Sequence, residues 1–250
     1  MAHGYHHFKN WNHWLTQALL SKYLLDAEQH ALSKLLLKYY GSHAALIGVP
    51  EQYRLLASCH LPHHFLITPF VQEKETVQNY IESDFYELPI LSGCCDLVIL
   101  PHTLELVDNP RQLLAEACRI IRPEGYIVIC GFNPHSLWGA YKWLSGKNNN
   151  LSLANHFLET TQIKKWLHLS DFQLEKQETI LYRPPVQQLL LREKFHFIEW
   201  LGTKCFPKGG GIYILVARAK VTPLTPIRLQ WKQRVAGIGM PTTTIGHIAK

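Results

Sequence analysis

The run Cys95-Asp96-Leu97-Val98-Ile99-Leu100 is almost wholly apolar, and a helix signal and a second apolar run follow it closely. A strand without polar alternation is covered on both faces, which points to a parallel sheet wrapped by helices. Asn109-Pro110 opens the helix, with proline suited to the first helical position. Leu113, Leu114, Ala117, Ile120 and Ile121 form its inward stripe. Pro123-Glu124-Gly125 reads as a turn and Tyr126 to Cys130 as the next buried strand. Strand, helix and strand in this order make a βαβ unit with a right-handed crossover.

The flanking segments extend the same pattern. From Asn12 to Tyr40, Trp14, Leu15, Ala18, Leu19, Leu25, Leu32, Leu35, Leu36 and Tyr39 recur at helical steps, which predicts one or two amphipathic helices ahead of the sheet. Gly41 is expected to end them by taking a positive φ. Ala44 to Val49 predicts a first buried strand, followed by a helix over Glu51 to Ser58. His64 to Pro69 and Val77 to Ser83 predict the second and third strands. Thr160 to Leu169 reads as a helix, Phe172 to Leu181 as a strand, and Gly211 to Ala219 as the last strand after a proline-broken insert with Phe195, Phe197, Trp200 and Phe206. A chain of 250 residues of this class buries one core. The expected organisation is a helical cap over 1–40, an α/β domain over 41–220 and a flexible basic tail over 221–250.

Composition narrows the functions. From Arg218 to Lys250 the chain carries Arg218, Lys220, Arg228, Lys232, Arg234 and Lys250 and no acid, enough to account for the formal +6. Such a tail attaches weakly to anionic partners, but no sequence-specific nucleic-acid motif accompanies it. No apolar run is long enough to span a membrane, and the polar start from Ala2 to Asn10 lacks a signal peptide's apolar centre, so the expected location is cytoplasmic. The six cysteines have no C-x-x-C spacing and read as reduced core thiols. The histidines His3, His6, His7 and His13, and His60, His63 and His64, lack the partner acids that fix a metal, and no metal site is expected.

The candidate chemistry lies just after the strands, where open parallel sheets bind ligands. Ser83-Asp84-Phe85-Tyr86-Glu87-Leu88-Pro89, then Pro101-His102-Thr103-Leu104-Glu105, then Arg122-Pro123-Glu124-Gly125 resemble the central half of a class I S-adenosylmethionine-dependent methyltransferase. With the segment Gly131 to Gly139, the resemblance is nearest to the YafS-like methyltransferase-fold proteins of proteobacteria. It implies a Rossmann-like α/β fold: a mostly parallel seven-stranded sheet with an antiparallel edge strand and an N-terminal helical cap. It also implies S-adenosyl-L-methionine as cofactor and a small-molecule acceptor. Carried over by position, the cofactor would meet Gly48, Asp84, Phe85, Pro101 and His102, with the Asp84 carboxylate accepting from the adenine amino group. His102, near neutral in its titration, is the candidate general base. Asn133, His135 and Trp138 would hold the acceptor.

Two departures from the pattern are visible. With Gly48 as the first glycine of the usual turn, Leu46 replaces the strand-one acid, Pro50 the second glycine and Gln52 the third. Proline removes a donor, and the lost glycines restrict close backbone approach. No acid stands at the tip of strand two unless Glu73 reaches back. The expected function is methyl transfer to a small or medium acceptor. The rival is a non-catalytic binding module of the same fold with lost or weakened cofactor binding, and a third reading is a nucleic-acid-associated protein acting through Arg228, Lys232 and Arg234.

Overall fold

The computed structural model describes residues 2–70, 79–145, 157–183, 206 and 209–221. The sequence expectations for 222–250, for Phe195, Phe197 and Trp200, and for Glu73 lie outside the described residues.

Two helices lead the chain, α1 (Ala2–Gln17) and α2 (Leu19–Leu36). They part at Ala18, whose backbone is extended. The buried Ser21 hydroxyl donates toward the Ala18 carbonyl at 2.7 Å and so fastens the corner. The strands are β1 (His43–Ile47), β2 (His63–Thr68), β3 (Tyr80–Glu82), β4 (Cys95–Pro101), β5 (Ile121–Phe132), β6 (Phe172–Ile180) and β7 (Ile212–Ala219). A 3-10 helix (Pro50–Leu56) follows β1, with proline at its start. The remaining helices are α3 (Thr103–Leu106), α4 (Pro110–Ile120), α5 (Leu137–Ser145) and α6 (Thr160–Leu169). The Asn109 side chain caps α4 by accepting from the Gln112 N–H at 3.2 Å.

The seven strands form one sheet in the order β3-β2-β1-β4-β5-β7-β6. The first five are parallel, while β7 runs antiparallel to both β5 and β6. The reversed final strand thus enters between β5 and the edge strand β6. Every residue of β4 is buried, as a strand covered on both faces requires. Among the described residues, no helix is long and apolar enough to cross a membrane.

The expected turn at Pro123-Glu124-Gly125 is instead a bulge inside β5. Cys95 pairs with Ile121 and Leu97 with Tyr126, so Asp96 alone faces the looped-out residues. Gly125 is required there, since a Cβ would lie 3.0 Å from the Asp96 carbonyl oxygen and 2.7 Å from Ile121. Asp96 itself is 4 % exposed and was not singled out by its sequence. Its Oδ2 accepts from the Ser42 and His43 N–H groups, each at 2.8 Å, and its Oδ1 meets Arg122 Nε at 2.6 Å. This one carboxylate sets the start of β1 against β4 and closes the bulge. Gly41 serves it: a Cβ there would fall 2.3 Å from Asp96 Cγ. α2 ends before that glycine, at Leu36, so Gly41 provides clearance rather than the helix stop expected of it.

Asp96→Ala should lower the unfolding free energy by about 2–4 kcal/mol, the scale of a buried charge whose partners are left unpaired. Gly41→Ala should also destabilise, but the double variant should cost less than the sum, because the new methyl then has room. Urea unfolding of the four proteins checks the cycle, and strict additivity would contradict it.

Candidate functional site

The strand order reverses between β1 and β4, so the crevice at their carboxyl ends is where such a sheet takes a ligand. Gln52, 1 % exposed, fills it. Its Oε1 accepts from the Val49 N–H at 3.1 Å, and its Nε2 donates to the Pro101 carbonyl at 2.8 Å. Thr103 Oγ1 donates to the Ile47 carbonyl at 2.5 Å and completes the link between the two tips. A Cβ on Gly48 would lie 2.5 Å from Gln52 Oε1, so the surviving glycine of the turn makes room for the chain's own amide. Leu46, at the position of the expected acid, is fully buried core. From above, Asn12 of α1 accepts from the Glu51 N–H at 3.1 Å and caps the 3-10 helix.

His102 follows β4 in the left-handed region, at φ 58°. The expected general base faces inward, with its side chain fully buried. Its Nε2 lies 2.7 Å from Glu28 Oε1 of α2, and its Nδ1 lies 2.9 Å from Glu105 Oε2 of α3. Burial alone would depress the imidazolium, but the charge and hydrogen bonds of Glu28 and Glu105 outweigh it and lift the pKa to about 10. A charged ring donating from both nitrogens has no lone pair with which to accept a proton. Burial also raises the Glu105 carboxyl, against the pull of the His102 ring and the Phe132 N–H, which donates to its Oε1 at 2.6 Å.

The nucleoside-site candidates lie one and two strands away. A cleft of about 440 Å³ opens at the tips of β2 and β3, lined by Lys9, Pro69, Phe70, Glu82, Ser83 and Asp84. The size falls within the range of about 300–1,000 Å³ common to small-molecule sites. Asp84 is exposed, and its Oδ1 accepts from the Tyr86 N–H at 3.0 Å as a turn residue does. The Lys9 ammonium stands 5.9 Å from the Phe70 ring centroid. Phe85 is buried behind the turn, edge-on to Phe8 of α1 at 5.1 Å. Asp84 therefore borders an open cleft, whereas Gly48, Pro101 and His102 surround a filled one.

After β5 a larger, mostly apolar cavity of about 790 Å³ is lined by residues that include His135, Leu137, Trp143, Tyr182 and Phe206. His135 is on its wall, 3.6 Å from Glu159. Asn133 and Trp138 hold the wall in shape. The Asn133 amide donates to the Gly210 carbonyl at 3.0 Å and accepts from the His135 N–H at 3.0 Å. Trp138 Nε1 donates to the Arg183 carbonyl at 2.8 Å, and its ring stacks on Phe132 at 5.8 Å.

Sequence reasoning missed Gln52 as a filler, Glu28 as a partner of His102, and Lys9 and Glu82 at the cleft. Glu28 carried one signal: it is an acid on the apolar face of a predicted helix, in line with Leu24, Leu25, Leu32 and Leu35.

The buried imidazolium fixes a pH response. Unfolded histidine titrates near 6.5 and His102 in the folded protein near about 10, so the folded state holds the extra proton between them. The stability this gives is complete below the lower value and drains as pH rises toward the upper one, by up to about 1.4 kcal/mol per pH unit. His102→Asn, which tolerates positive φ, should be less stable at neutral pH and should flatten this decline. Urea unfolding on either side of neutrality, extended into the alkaline range, measures both.

Residues 50–129 match the family described as a methyltransferase domain. An uncharacterized protein of Escherichia coli K12, YafS, is 25 % identical over 194 residues, covering 75 % of this chain and 72 % of its own. A S-adenosylmethionine-dependent methyltransferase of Thermotoga maritima superposes with a TM-score of 0.61 at 17 % identity, over 87 % of this chain and all of that one. A phosphoethanolamine methyltransferase of Haemonchus contortus, solved with S-adenosylhomocysteine, gives 0.53 at 16 % identity, over 78 % of this chain and 53 % of that one. The likeness drawn from Asp84, His102 and their neighbours is borne out: with this sheet order and this match, the chain has the fold of the class I S-adenosylmethionine-dependent methyltransferases and resembles them in sequence across its central strands.

Proposed function

We propose that the protein is an S-adenosylmethionine-dependent methyltransferase whose adenosyl pocket is the cleft at the tips of β2 and β3, with the acceptor in the cavity after β5. The cleft carries the reading: it offers the carboxylates of Glu82 and Asp84 and the ring of Phe70 at the edge of the sheet where this fold takes its cofactor. When bound, the cofactor supplies a methyl group activated at a sulfonium. The residues present fit its nucleoside half. Its amino-acid end belongs in the crevice between β1 and β4, and there it must take the place of the Gln52 amide.

The protein's own groups have distinct tasks in this reading. The Asp84 oxygen not used by Tyr86 accepts from the base, and Phe85 backs the turn that presents it. The apolar walls around Leu137, Trp143 and Phe206 exclude water from an acceptor of small or medium size. His135, an ionisable group on that wall, is placed to take a proton from it; His102 positions the tip of β4. The described cysteines Cys59, Cys94, Cys95, Cys118 and Cys130 are all unpaired, which supports a reducing, cytoplasmic setting. The filled crevice favours a second reading, a binding module of the same fold that no longer transfers methyl groups.

Titration calorimetry with S-adenosylmethionine separates the two. Binding heat and a rise in melting temperature at millimolar ligand are expected, and neither would be seen for the module. Asp84→Ala should weaken binding by about ten-fold or more, the worth of a hydrogen bond to a charged group. Asp84→Asn, which keeps the bond to Tyr86, separates loss of the turn from loss of the carboxylate.

A further inference from the structure

We propose that Gln52 sets the ligand class of this pocket, so that the β2–β3 cleft takes an adenine nucleoside with a short 5′ substituent in preference to one that carries an amino-acid tail. The inference rests on the reading of that cleft as the nucleoside pocket. In the sheet, β1 lies between β2 and β4, so a ligand reaching from the cleft to the reversal crevice passes over Gly48 to Pro50. The groups that would receive an amino-acid end in the crevice are the Val49 N–H, suited to a carboxylate, and the Pro101 carbonyl, suited to an ammonium. The Gln52 amide already offers an acceptor to the first and a donor to the second, at 3.1 and 2.8 Å. A primary amide thus reproduces, without charge, the acceptor and donor pair of the tail.

The stand-in is built in rather than resting on the surface. Gln52 is 1 % exposed, and Gly48 lacks the Cβ that would push its amide out. The turn is further held down by Asn12, which accepts from the neighbouring Glu51 N–H, and Trp11, wholly buried, packs on His102 at 5.6 Å beside it. A nucleoside ending in a small thioether leaves all these contacts in place. One with the full tail must first expel a buried amide whose hydrogen bonds are satisfied.

5′-Methylthioadenosine and S-adenosylhomocysteine share the adenosyl thioether, and only the second bears the amino-acid tail. Titrated into the full chain, 5′-methylthioadenosine should bind at least about ten-fold more tightly. In Gln52→Ala the S-adenosylhomocysteine affinity should rise by about ten-fold while that of 5′-methylthioadenosine stays within about two-fold. Gln52→Met, which fills the crevice without the amide, should keep the unmodified preference. Equal affinity for the two ligands in the unmodified chain overturns the proposal and leaves the nucleoside pocket standing; this comparison needs no variant to fold. Failure of both ligands to bind any cooperatively melting form removes the pocket, and the proposal with it.

Discussion

A protonated imidazole between two carboxylates joins elements far apart in the chain: Glu28 on α2, His102 after β4 and Glu105 on α3, with the Phe132 N–H from the end of β5. Removing charges from water costs several kcal/mol for each ion, so such a cluster persists only where its hydrogen bonds are made. Both oxygens of Glu105 are used. Glu28 uses one, and its Oε2 has no partner among the described residues, which leaves it as the less satisfied member. The same bonds hold His102 at φ 58°, a conformation that costs a side-chain residue about 1–2 kcal/mol. Removing His102 would therefore cost more than its hydrogen bonds, because two buried carboxylates would face each other uncompensated.

That cluster makes the helical cap part of the mouth of the sheet. α2 is tied to the tip of β4 through Glu28, and to the 3-10 helix through Arg54, which pairs with Asp26 and donates to Gln29 Oε1 at 3.2 Å. The apolar stripe of Leu24, Leu25, Leu32 and Leu35 would hold the helix against the core with some freedom to slide. The buried pair fixes its register, the one service of a buried charge that hydrophobic contact does not give.

The fold was legible where local pattern and tertiary demand coincide. The almost wholly apolar run of β4, the proline and stripe of α4 and the alternation at the start of β6 follow from burial and capping rules applied to neighbouring residues. Asp84 could be placed at a strand tip for the same reason. What could not be read depends on pairs distant in sequence. Glu28 and His102 meet only because α2 crosses the tip of β4, and Asp96 and Gly41 only because β1 starts beside β4. Gln52 was seen as a missing glycine, since a backbone pattern records what a turn has lost and not what a longer side chain does with the space. His102 shows the converse: the motif placed the residue correctly at the end of β4, but its ring direction was set by a partner on another element.

The two clefts are separated by this same construction. The strand order sets the tips of β1 and β4 between the Asp84 cleft and the His135 cavity, and those tips are covered by Gln52, Trp11 and His102. The rings continue in contact from Trp11 to Phe132 at 6.1 Å and from Phe132 to Trp138 and Phe157 at 5.8 and 5.0 Å. A group passing between donor and acceptor needs the reacting atoms within about 3–3.5 Å of each other, so the proposed methyl transfer would require this partition to open. Its attachments differ in strength. α2 is held by an ionic bond in the core, whereas α1, which carries Phe8, Trp11 and Asn12, is joined by uncharged contacts that include the Asn12 bond to the Glu51 N–H, the Ser21 bonds to the Trp14 and Leu15 carbonyls and its packed rings. The extended residue Ala18 lies between the two helices. An opening that joins the clefts would therefore move α1 about that corner more readily than α2, because α2 leaves only by breaking the buried Glu28–His102 ionic bond.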